Sequence, residues 1–79
     1  MTTRRHYDAV ATILSEALTF SDSLKVLGVI SHNEKIERDL AIAGIKIALA
    51  DYYASANPNF DRRRFDDTAY KLYKERALQ

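Results

Sequence analysis

The run Ile36-Glu-Arg-Asp-Leu40-Ala-Ile-Ala-Gly-Ile-Lys-Ile-Ala-Leu-Ala-Asp-Tyr-Tyr-Ala-Ser-Ala56-Asn57 decides the fold. Between Leu40 and Ala56 only Lys46 and Asp51 carry charge, and no proline interrupts. Ile36, Leu40, Ala43, Ile47, Ala50 and Ala54 follow one helical stripe; Ile42, Ile45, Leu49, Tyr52 and Ala56 follow a second. A helix apolar around most of its girth is normally covered on more than one side. The pattern therefore predicts a central helix on which the rest of the chain packs.

Its ends are marked. Ser31-His-Asn-Glu34 has the spacing of a capping box, in which hydroxyl and carboxylate each satisfy the other's backbone donor. Asn33 is a competing cap. Asn57-Pro58 supplies the stop, because a residue before proline is pushed out of helical geometry. Gly44, in mid-helix, costs about 1 kcal/mol against alanine, and is read as the place where another helix crosses closely.

Phe60-Asp61-Arg62-Arg63-Arg64-Phe65 then opens a further helix with Asp61 as N-cap and Phe60 and Phe65 placed as a hydrophobic staple. Its apolar face continues through Ala69, Leu72 and Tyr73 to about Ala77. The four-residue link from Asn57 to Phe60 predicts that the central and last helices are neighbours at a sharp angle.

Upstream, Tyr7, Val10, Ala11, Leu14, Ala17 and Leu18 recur at helical spacing, with Ile13 widening the face. Thr2 or Thr3 is the expected cap, and the end is expected near Leu18 or Thr19. Arg4 and Arg5 oppose the macrodipole in the first turn, so fraying is expected there. Thr19 to Asn33 is open between a short helix capped by Ser21 or a packed loop, and a strand over Lys25–Ile30. A lone strand would leave backbone groups unpaired, which favours the former. The fold expected is all-α: one domain over residues 1–79, a small bundle of three main helices with room for a short fourth.

Composition narrows the function. With 79 residues there is chain for one core, and a short chain gains stability from pairing with another copy. There is no cysteine, so disulfides and thiolate metal sites are excluded, in keeping with a reducing compartment. The apolar fraction of 47% and charged fraction of 29% are ordinary for a soluble domain. The N-terminus lacks the apolar core of a signal peptide, and the central run is shorter than a membrane span. A cytoplasmic protein is expected. Net charge is only +1, small for a protein that works by neutralising phosphates.

Catalytic signals are absent. His6 and His32 have no second ligand at metal spacing. The carboxylates of Asp66 and Asp67 diverge by about 100° on a helix and do not share a proton. Ser15 with Glu16 suggests no catalytic arrangement, and no Gly-rich loop cradles phosphate. Neither an enzyme, a cofactor nor a small-molecule substrate is expected.

Two surfaces remain. Tyr53, Tyr70, Tyr73 and Arg76 form a candidate protein-contact patch, weighed against the commoner fate of tyrosines as boundary packing. Arg62, Arg63 and Arg64, with Lys71 and Lys74, form a candidate nucleic-acid surface on a helix entered by a short turn. Against it, Arg62 with Asp66 and Arg63 with Asp67 have ion-pair spacing, and those acids repel phosphate.

The segment Asn57-Pro58-Asn59-Phe60-Asp61-Arg62-Arg63-Arg64-Phe65 resembles a group of small proteins encoded by actinobacterial phages, as do Ile47-Ala-Leu-Ala-Asp-Tyr-Tyr53 and Arg5-His6-Tyr7-Asp8-Ala9-Val10-Ala11-Thr12-Ile13-Leu14. Together these segments hold 26 of the 79 residues. The group's members tend to end soon after the second Phe with small residues and often a cysteine, where this chain continues from Asp66 as helix. Thr19 to Asn33 does not resemble the group. The resemblance implies a phage or prophage origin, hence the host cytoplasm, and a small helical fold, but no activity or site. The expectation is a non-catalytic accessory protein that binds a host protein or itself; the alternative is a small DNA-binding regulator.

Overall fold

A computed structural model describes residues 4–77, with side chains described up to Lys71. Three helices make the fold: α1 (Arg4–Val26), α2 (His32–Ala56) and α3 (Arg62–Ala77). There is no strand among the described residues. The all-α expectation holds, while Thr2 and Thr3 lie outside the described residues.

α1 runs well past Thr19, and no short fourth helix follows it. Ser21, read as a cap, lies fully buried inside α1 and accepts a hydrogen bond from Arg38 Nε on α2 at 3.2 Å. Thr19 and Ser23 donate their hydroxyls to the carbonyls of Ser15 and Thr19, one turn back. Hydroxyls satisfied in this way sit inside a helix without breaking it. The end comes at Gly28, the one residue with a left-handed backbone (φ 77°) among those described. Val29 N donates to Leu24 O at 2.9 Å and Gly28 N to Lys25 O at 3.0 Å. This pair of bonds is the Schellman motif, which satisfies terminal carbonyls where a glycine sits at C′.

α2 begins as the capping box requires. Glu34 N donates to Ser31 Oγ at 3.1 Å and Ser31 N to Glu34 Oε1 at 3.0 Å. At the other end Asn57 leaves the helix in an extended conformation, and its N–H closes on Tyr53 O. Asp61 Oδ1 accepts from Arg64 N at 3.0 Å, and the Phe60 and Phe65 rings meet at 5.5 Å, so cap and staple both form.

α1 and α2 make an antiparallel hairpin, since Tyr7 meets Tyr53 at one end and Ser21 meets Arg38 near the other. α3 turns back beside α1, to which it packs most closely, and touches α2 least. Lys46–Asp66 and Arg62–Asp51 pairs show α3 antiparallel to α2. The molecule is elongated, 42 × 23 × 17 Å, as a hairpin of helices roughly 35 Å long must be.

The expected roles of the helices are reversed. α1 buries Tyr7, Ala11, Leu14, Ser15, Leu18 and Ser21, whereas α2 buries Ala50 and Tyr53. Ile36, Leu40, Ile45, Ile47 and Tyr52 of α2 are exposed. α1 is therefore the helix the chain is organised around, because it alone has close partners on two sides. Nor, among the described residues, does anything cross at Gly44: a Cβ there would meet none of them within 4 Å.

Candidate interaction surfaces

The core is concentrated where all three helices meet. Tyr7, Ala11, Leu14, Ala50, Tyr53, Phe65 and Ala69 form one cluster, with Val10, Ile42, Leu49 and Phe60 packed at its edge. Four aromatic rings contact one another there: Tyr7–Tyr53 at 4.7 Å, Tyr7–Phe60 at 4.8 Å and Tyr53–Phe65 at 5.7 Å between centroids. Such tilted and edge-on pairs add to the burial of their area.

Asn57, Asn59, Phe60 and Asp61 each have a structural task in closing this cluster. Asn57 accepts from Asn59 N through Oδ1 and donates through Nδ2 to the Tyr7 hydroxyl at 3.1 Å. Phe60 N closes the turn on Asn57 O. Phe60 covers the tyrosines, and Asp61 starts α3.

Tyr53, expected at a contact surface, belongs to this core. Its hydroxyl lies 3.5 Å from His6 Nε2. Burial, and then the neighbouring Tyr7 and Tyr52, push its pKa up. The exposed member of the pair is Tyr52. Periodicity placed Tyr52 on an apolar stripe and Tyr53 beside it, and the position of α1 reverses their roles. Tyr70 is half-buried, with Lys46 Nζ over its ring at 5.0 Å. The side chains of Tyr73, Lys74 and Arg76 lie outside the described ones.

The arginine run is divided. Arg64 forms a fork on Asp8 of α1, Nε to Oδ1 at 3.2 Å and Nη2 to Oδ2 at 3.0 Å. Those hydrogen bonds hold the Asp8 carboxyl below, and the Arg64 guanidinium above, their ordinary pKa values. Arg62 reaches Asp51 of α2 at 2.7 Å rather than Asp66, and Asp66 takes Lys46 at 3.1 Å. Spacing within one helix could not reveal these partners on other helices. Arg63 and Lys71 stand exposed, and at 100° per residue Asp67 falls between them.

The turn end of the hairpin is held by charge. Lys35 Nζ pairs with Asp22 of α1 at 3.0 Å and with Asp39 one turn along α2. Hydrogen bonding to Asp39, chiefly, raises the Lys35 pKa. Asp39 Oδ1 is buried without a hydrogen-bond partner among the described residues.

A shallow pocket of about 200 Å³ opens beside the start of α3, lined by Arg4, Tyr7, Asp8, Asn57, Asn59, Asp61, Arg64 and Phe65. Four of its polar side chains are committed: Asp61 caps α3, Asn57 holds Tyr7, and Asp8 and Arg64 hold each other. No group of three His, Cys, Asp or Glu side chains suited to a metal occurs among the described residues. None of the described helices is long and apolar enough to cross a membrane.

A further exposed surface is apolar. Ile13 and Phe20 of α1, Val26, Leu27 and Val29 at the turn, and the outer residues of α2 are all exposed. The signal was present in the two apolar stripes of α2, which were expected to be covered on more than one side, whereas Ile36, Leu40 and Ile47 of the first and Ile45 and Tyr52 of the second are exposed. Comparison with family models, with curated proteins and with solved structures gives no significant match.

Proposed function

We propose that this chain is a non-catalytic accessory protein, encoded by a phage and acting in the host cytoplasm, that works by binding a protein, whether a host factor or a second copy. The exposure of large apolar side chains along α2 carries this reading. Ile36, Leu40, Ile45, Ile47 and Tyr52 project from one helix of a small domain. Surfaces of that kind on small proteins mark interaction sites.

A small DNA-binding regulator is the alternative. Two of its three arginines are spent on Asp8 and Asp51, and Asp67 stands beside the remaining basic residues. That arrangement favours the protein-binding reading. Retention on duplex DNA across a salt series tests the pair. The protein-binding reading expects little retention and a shallow slope. A steep slope, flattened by Arg63→Ala and Lys71→Ala, would overturn it in favour of the regulator.

A further inference from the structure

Among the described residues, the ion pairs to α3 leave one side of the hairpin, from Asp8 on α1 and from Lys46 and Asp51 on α2. At 100° per residue, Ile13 and Phe20 lie about 140° and 120° around α1 from Asp8. Ile45 and Tyr52 lie on the far side of α2 from the mean direction of Lys46 and Asp51. These four side chains are 63%, 57%, 54% and 66% exposed. They are brought to one face, because Arg38, on the same stripe of α2 as Ile45 and Tyr52, reaches across to lie 5.9 Å from the Phe20 ring. Val10, Ile42 and Leu49, partly buried against the core, form the floor between them. The hairpin thus has α3 on one face and an apolar groove on the other.

We propose that a second copy of this chain covers that groove, so that two hairpins pack face to face with both α3 helices outside. This rests on the protein-binding reading and names the partner. Area is the first argument. Taking a large side chain as about 200 Å², the four walls expose roughly 500 Å². With the floor and rim the face approaches the ~800 Å² per partner of a stable interface.

Register is the second argument. The Tyr7–Tyr53 and Ser21–Arg38 contacts place Ile45 level with Leu14 and Ser15, within the Ile13–Phe20 stripe and nearer its Ile13 end. Arg38 and Tyr52 stand seven residues to either side of Ile45. A two-fold axis crossing the face at Ile45 therefore brings Arg38 of one copy to Tyr52 of the other. The one cation on the apolar stripe meets an aromatic ring, and Ile45 meets itself.

Sedimentation equilibrium of the full chain from micromolar to several hundred micromolar tests this. A two-chain species is expected, and Ile45→Glu is expected to weaken it at least 100-fold with the helical circular dichroism unchanged. Leu40→Glu, on the opposite flank of α2, is expected to leave it intact. The chain has no cysteine, so Ile45→Cys adds an unambiguous probe: rapid disulfide dimer formation is expected, with none for Leu40→Cys. A chain that stays monomeric throughout, or a dimer broken by Leu40→Glu and not by Ile45→Glu, would overturn the proposal. A monomer that also ignores DNA would remove the second copy while leaving protein binding in place; steep salt-dependent retention on DNA would remove both.

Discussion

The two ends of the α1–α2 hairpin are built from different materials. At the open end three helices converge on Tyr7, Tyr53, Phe60 and Phe65, and backbone and side-chain bonds around Asn57 and Asp61 lock the turn beneath them. At the turn end two helices meet through Lys35, Asp22, Asp39, Arg38 and Ser21, while Val26, Leu27 and Val29 face outward. One end is stabilised by burial, the other by caps and charges. Burial of large rings is worth several kcal/mol per residue, partly exposed ion pairs far less. Stability should therefore be concentrated at the open end.

The contrast can be broken most severely at Phe65, the largest fully buried side chain among the described residues. Phe65→Ala should cost about 3–5 kcal/mol in urea unfolding, enough to threaten folding of so small a domain. A cost below about 1 kcal/mol would mean that the aromatic cluster is not the core. At the turn end, Ser31→Ala removes one half of the capping box and should cost about 1 kcal/mol. Gly44→Ala should act in the opposite direction. Its Cβ meets nothing, so the substitution should stabilise by up to about 1 kcal/mol, read as a raised urea midpoint.

In pH response the two ends are alike, each holding one group with a lowered pKa and one with a raised pKa. The Asp8 and Glu34 pKa values are lowered by hydrogen bonds from Arg64 and from the Ser31 backbone, so their contribution is full above the ordinary carboxylate range. It is lost as pH falls from about 4 downward. Lys35 and Tyr53 have raised values, so their contribution is full below their unfolded values near 10 and is lost as pH rises beyond them. A circular-dichroism titration should show a stability plateau between about pH 5 and 10, with losses on both sides. Lys35→Met should blunt the alkaline loss at the turn end, and a loss unchanged in that variant would remove the assigned role of Lys35.

Much of this architecture was legible in the sequence because its signals are local. The capping box at Ser31, the stop at Asn57-Pro58, and the cap and staple at Asp61, Phe60 and Phe65 each depend on residues within a few positions of one another. The extent of α1 was misread because Ser21 and Ser23 resemble caps, while Gly28 with Lys25 before it marked the true end. The organising helix was misread for a different reason. Periodicity reports how much apolar surface a helix carries, and α2 carries the most, but which neighbour covers it is a matter of tertiary placement. Arg62 and Arg64 escaped for the same reason, since their acids stand on other helices. The group of tyrosines divided between core and surface on a rotation of one residue.

Residue-resolved hydrogen exchange of the intact chain tests the central contrast most directly. Amides of Tyr7–Leu18, Leu49–Tyr53 and Phe65–Ala69 should exchange last, near the rate of global unfolding, and those from Leu27 through Lys35 should exchange first. Slowest exchange in the Ile36–Ile45 half of α2, or equal protection at both ends of the hairpin, would contradict a fold built around α1 and closed by its aromatic end.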